Sequence, residues 1–135
     1  MKSVICALAA FLTCVSCAPV YTPAIISVHL GCQNITQYFV PNEVFQQLEF
    51  DKVPPKQVDI PDNFDDHMYC MYTNLGFESE SGELDLSHAD GFGTLFANPE
   101  DSVEIVTNCA SKTEGLTDPI EIAGRFYFCT LNFYA

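Results

Sequence analysis

Apolar positions recur along this chain with mostly helical spacing, and cap residues cut them into six segments. Thr22 offers a capping hydroxyl before Pro23 at a first helical position, and Ile25, Val28, Cys32, Ile35 and Phe39 then share one stripe until Pro41 stops it. A short second helix is expected after Asn42, burying Val44, Phe45 and Leu48, before Pro54, Pro55 and Pro61 force extended chain. The third pattern is the clearest: Asp62 is its cap, Phe64, Met68, Met71, Tyr72 and Leu75 fall on one face, and Gly76 ends it. Residues 77–84, FESESGEL, read as a solvated acidic turn leading to Asp85, the cap of a fourth helix carrying Leu86, Ala89, Phe92, Leu95 and Phe96. Gly91 and Gly93 make that helix weak.

Asn98-Pro99 with Glu100 and Asp101 marks the start of a fifth helix, with Val103, Val106 and Ala110 on one face and an end near Gly115. Asp118-Pro119-Ile120-Glu121 combines a cap, a first-turn proline and an acid three residues after the cap, so a sixth helix starts there. Its body, from Ile122 to Phe133, is apolar on nearly every face, which suits the centre of the protein or contact with a ligand. The expected fold is therefore all-α, about six helices. No repeat, charge block or low-complexity linker divides residues 18–135, which read as one domain.

Residues 1–17 lie outside this pattern: Lys2 precedes an apolar run from Val4 to Val15 and small residues around Ser16 to Ala18, the make-up of a secretory signal peptide. Cleavage is expected after Cys17, with Ala18 as the alternative. The run is too short for a membrane anchor, which needs about 18 or more apolar residues, so the protein is expected to be secreted and not membrane-embedded. Removing the signal leaves four cysteines, Cys32, Cys70, Cys109 and Cys129. In an oxidising compartment four dispersed cysteines read as two disulfides, with three connectivities open. Asn34-Ile35-Thr36 is a sequon, making Asn34 a glycosylation candidate.

Charge narrows the partners. The chain carries 5 Lys+Arg against 18 Asp+Glu, a formal net charge of -13, and such a surface repels a nucleic acid. His29, His67 and His88 are scattered, with no HExxH or HxH arrangement, so neither a metal nor another cofactor is expected. No GxSxG elbow is present and the mature cysteines look paired, which argues against an enzyme. The apolar inventory is what stands out: 11 Phe, 6 Tyr and no Trp. A helical shell with that excess and two crosslinks can hold an internal apolar cavity. The stripes nominate Met68, Met71, Tyr72, Leu75, Phe92, Phe96, Val106, Phe126 and Phe133 as its wall.

The signal peptide, the helical pattern, the acidic balance and the run His67-Met68-Tyr69-Cys70-Met71-Tyr72, leading through Leu75-Gly76 and Gly82-Glu83-Leu84-Asp85 to Cys109 and Cys129, resemble an insect odorant-binding protein over essentially the whole mature chain. Common members of that family have six cysteines. Here Asp66 and Ile120 stand where two of them would bond to each other, so the chain is similar to the four-cysteine, minus-C branch. The resemblance implies bridges Cys32–Cys70 and Cys109–Cys129, and a carrier that encloses a small hydrophobic ligand, an odorant or pheromone, without reacting with it. It further implies a membrane odorant receptor as a partner, a homodimer as an assembly state, and a pH response for which His67 and His88 are the candidates. Two other classes compete: a secreted helical protein-interaction module of venom, salivary or seminal type, and a small secreted hydrolase, for which no nucleophile site is recognisable.

Overall fold

The computed structural model describes residues 18–135, so the expected signal peptide lies outside the described residues. The described chain is all-helical and contains no named strand. Helix α1 (Pro23–Gln33) starts as its sequence signals require, with the Thr22 hydroxyl accepting from the Ile25 amide at 3.2 Å. It ends earlier than the stripe suggested. The Gln33 side chain bonds both backbone groups of Val40, donating to its carbonyl at 2.5 Å and accepting from its amide at 2.9 Å. That clamp folds residues 34–40 back through a 3-10 turn (Thr36–Tyr38), leaving Ile35 and Phe39 exposed rather than on the buried face.

Helix α2 (Asn42–Phe45) runs directly into a π turn (Gln46–Phe50), and Val44 and Leu48 are buried as expected. The wider turn brings Glu49 round to the buried face beside Leu48. Helix α3 (Phe64–Asn74) buries Phe64, His67, Met68, Cys70, Met71 and Tyr72. Its cap position is Asn63, not Asp62, which is exposed. The Asn63 amide instead donates to the carbonyls of Gln37 and Phe39, tying the α1 return to the start of α3. Gly76 ends the helix with φ of 78°.

The following segment is a turn whose tip, Ser79–Ser81 with Glu83, is exposed as expected, but its start is not solvated. An isolated bridge between Glu78 and Leu84 closes it, Gly82 turns it at φ of 97°, and Phe77 and Glu78 are buried. Asp85 caps the next segment by accepting from the Ser87 amide at 3.0 Å. That segment, Leu86–Phe92, is a 3-10 helix, the outcome of the glycine-weakened sequence, and Leu86 is exposed while Ala89 is buried. Helix α4 (Ser102–Ser111), led in by a 3-10 turn at Pro99–Asp101, buries Ser102, Ile105, Val106 and Cys109. Val103, nominated for that face, is 56% exposed: the burial of Cys109 sets the phase of the helix, and Ile105 takes the inward place.

Helix α5 (Pro119–Leu131) is capped by Asp118, whose carboxylate accepts from the Ile120 amide at 2.9 Å. It is the central helix, as its apolar body requires, packing along α3 on one side and α4 on another. Disulfides Cys32–Cys70 and Cys109–Cys129 join α1 to α3 and α4 to α5. They close loops of 38 and 20 residues, and by loop entropy each contributes about 3 to 4 kcal/mol. Beyond α5, residues 133–135 pair with residues 95–97 through Ala97 N to Phe133 O (3.0 Å) and Ala135 N to Leu95 O (2.8 Å).

Candidate functional site

Between α1, the α2 π turn, α3 and the Leu86–Phe92 segment lies a cavity of about 430 Å³, reaching inward to α5 and Tyr134. Its inner wall is aliphatic and aromatic: Ile25, Met68, Met71, Leu75, Phe77, Phe92 and Leu95. Helical phase puts Met68, Met71, Tyr72 and Leu75 there, one stripe of α3 facing the cavity. Ile26 and Phe50, 48% and 40% exposed, line it at its rim on the α1–α2 side, and His88 and Gly91 at the other.

Phe126 supports this wall from behind. Its ring centroid lies 4.8 Å from that of Phe77, 5.6 Å from Tyr72 and 5.7 Å from Phe92, while Phe77 and Phe92 stand 4.9 Å apart. Such tilted and edge-on pairs add about 0.5 to 1.5 kcal/mol each beyond area burial, which makes this side of the cavity stiff.

Near the mouth, His29, Phe45 and His67 form a ring cluster with centroids 5.1 Å apart. His67 Nδ1 lies 2.8 Å from the Tyr38 carbonyl and donates to it, so its bare Nε2 accepts from His29 Nδ1 at 3.3 Å. The arrangement suits two neutral rings. The His67 pKa is lowered to about 4, by burial first and by the neighbouring His29, against the bond to Tyr38. Burial also lowers His29.

The other polar feature of the wall is Glu49, 5% exposed, whose two carboxyl oxygens accept hydroxyl hydrogen bonds from Tyr21 and from Tyr127, the latter at 2.6 Å. Burial pushes its pKa upward, opposed by Tyr127, Tyr21 and the charge of Lys52. Glu78, by contrast, is buried with neither carboxyl oxygen hydrogen-bonded, and burial pushes it to about 8.

Of the nine nominated wall residues, Met68, Met71, Tyr72, Leu75 and Phe92 line the cavity. Phe96, Val106 and Phe126 are buried in the packed core instead. Phe133 is 44% exposed in the turn that ends α5, where its amide donates to the Thr130 carbonyl at 2.9 Å, and it does not line the cavity; its neighbour Tyr134 does. His67 and His88 both line the cavity, at opposite ends of its wall, and Asn34 is exposed at the C-terminal cap of α1. Sequence reasoning missed Tyr21, Glu49, Tyr127 and Tyr134, together with His29 as the partner of His67. Glu49 carries no local signal, since its tyrosine partners are 28 and 78 positions away. Among the described residues no group of three or more His, Cys, Asp or Glu is placed to hold a metal ion, and no helix is long and apolar enough to cross a membrane. No family model matches the chain, and no curated protein or solved structure gives a significant match.

Proposed function

We propose that this protein is a carrier that holds one small, largely apolar molecule in the cavity between α1, α2 and α3. The observation that carries this reading is the cavity itself: about 430 Å³ of space inside a 118-residue helical shell, walled by Met68, Met71, Leu75, Phe77 and Phe92, with few polar groups. Small-molecule sites of about 300 to 1,000 Å³ have this character, whereas interiors that serve only as cores pack with few voids larger than a water. The two disulfides support the reading, because crosslinks offset the packing that a hollow interior forgoes, and they suit an oxidising, extracellular compartment. The resemblance to minus-C odorant-binding proteins gives the cargo class: odorants, pheromones or similar semiochemicals, solubilised and delivered to a membrane receptor.

A titration of the disulfide-bonded protein with the fluorescent probe N-phenyl-1-naphthylamine at pH 7, followed by competition with long-chain alcohols, esters and terpenoids, tests this. Saturable binding with micromolar displacement is the expected result. A folded, helical protein that binds none of them removes the carrier reading and points to a macromolecular partner. The pH response belongs to the same proposal: burial keeps His67 neutral down to about pH 4, so affinity should change as pH falls below 5 towards 4, and an unchanged profile in His67→Gln would show that this ring does not cause it.

A further inference from the structure

Among the polar side chains that line the cavity, which include His29, Asn42, Gln46 and His67, one is an acid. No Lys or Arg lines it, and its one acidic group is Glu49. A glutamine there could accept from one tyrosine hydroxyl and donate to the other without the cost of burying an ionisable acid. Lys52 acts on Glu49 through space, but its ammonium sits on the backbone oxygens of Glu49 and Ala135. Each carboxyl oxygen carries one bond, from Tyr21 or Tyr127, and a carboxylate offers about four acceptor positions, so the group can take another donor.

What surrounds it is aromatic. The Tyr21 and Phe50 rings lie 6.0 Å apart on one side and those of Tyr127 and Tyr134 lie 6.3 Å apart on another, and all four residues line the cavity. Aromatic faces attract an organic cation and give nothing to an anion. The charge of the whole chain, -13, acts in the same direction by concentrating cations and repelling carboxylates. From Glu49 the apolar wall continues to Met68, Met71 and Phe92, room for a hydrocarbon body behind a single polar head.

Resting on the carrier reading above, we infer that the cavity selects lipophilic amines, seating the ammonium on the Glu49 carboxylate among the tyrosine rings and the hydrocarbon body against the methionines. A hydroxyl head donates one neutral hydrogen bond to the same carboxylate and binds less tightly. A carboxylate head meets Glu49 as a like charge and is rejected. An ammonium also keeps Glu49 ionised against the upward push of burial.

The test is a competition at pH 7 against N-phenyl-1-naphthylamine with three ligands of one chain length, decylamine, decanol and decanoate, each below its micellar concentration. Decylamine should displace the probe at a concentration tenfold or more below decanol, and decanoate should not displace it over that range. In Glu49→Gln that keeps the wild-type helical content, with displacement read against that variant's own probe affinity, decylamine should lose that advantage over decanol. Should that variant fail to fold, Tyr21→Phe serves: freeing one acceptor position on the carboxyl should preserve or widen the preference for amine over alcohol. Probe binding with decanoate equal to or better than decylamine overturns the inference and leaves the carrier reading standing. The wild-type order persisting in Glu49→Gln overturns the role of Glu49. No probe binding at all overturns both.

Discussion

The interior has two halves built from the same residue types and packed to opposite ends. Under α4, Phe96, Ile105, Val106, Cys109 and Phe126 belong to the buried core outside the cavity lining, and the helix that carries Phe126 is bonded to α4 through Cys109–Cys129. Between α1, α2 and α3 the residues Met68, Met71, Leu75 and Phe92 surround a cavity, and there the buried or half-buried polar groups Glu49, His29 and His67 collect. Apolar character therefore does not distinguish a solid core from a hollow one. The arrangement of the enclosing elements does: α3 and α5 pack along each other, whereas α1 is fastened to α3 near its C-terminal end by Cys32–Cys70 and lines the cavity along Ala24–His29.

Truncation should expose that difference most strongly. Phe126→Ala removes the ring that backs the aromatic wall in the solid half, and a loss of about 3 to 5 kcal/mol is expected. Met71→Ala, on a wall that already faces space, should cost clearly less, near the 2 kcal/mol end of the usual ~2 to 5 range. Urea unfolding of both variants checks this, and equal losses would mean that the two halves are equally packed.

Acid should act on the hollow half. Between pH 6.5 and about 4 the unfolded chain takes up a proton at His67 that the folded chain refuses, so this contribution is fully present above pH 6.5 and lost as pH falls to 4. The size is up to about 3 kcal/mol at 1.36 kcal/mol per unit, and replacing His67 with Gln should flatten that part of a stability-pH curve. Glu78 runs the other way. Its folded form holds a proton up to about pH 8 while the unfolded form releases it near 4.5, so stability from this group declines as pH rises between those values. Glu78→Gln should therefore raise the melting temperature at pH 8 more than at pH 5.

Smaller effects mark the edges of the solid half. A methyl at Gly82 would sit 2.8 Å from Ile122 Cδ1 and 3.3 Å from Pro119 Cα, at a φ of 97°, so Gly82→Ala should cost about 1 to 3 kcal/mol in thermal or urea unfolding. Removing a helix cap by Thr22→Ala or Asp118→Ala should cost about 1 kcal/mol each, read the same way.

Most local signals held, Asp62 apart, whose cap position falls on Asn63. Thr22, Asp85 and Asp118 cap as their side chains and neighbours suggest, and the periodic run from Phe64 to Tyr72 forms the face of α3 that reaches the cavity. Phase was lost where a distant contact decides it. The Gln33 clamp on Val40 ends α1 before Ile35, and the inward position of Cys109 turns Val103 outward on α4. The polar end of the cavity was illegible for the same reason: Glu49 meets Tyr21 and Tyr127 only once α1, α2 and α5 have assembled, and nothing around residue 49 announces it. The acidic run at 77–84 misled because two of its residues, Phe77 and Glu78, are drawn under the chain by the Glu78–Leu84 bridge.

Met68 and Met71 are the two methionines of residues 18–135, and both stand on the cavity wall. Their methyl groups can be labelled with carbon-13 and followed by NMR while decanol is added at pH 7. An occupied cavity predicts saturable shifts of both methyl resonances at one common affinity, with the Met68 shift lost in Met71→Trp, where the indole would fill the space. Methyl resonances that do not move, or that drift without saturating in a folded protein, would contradict an internal binding site.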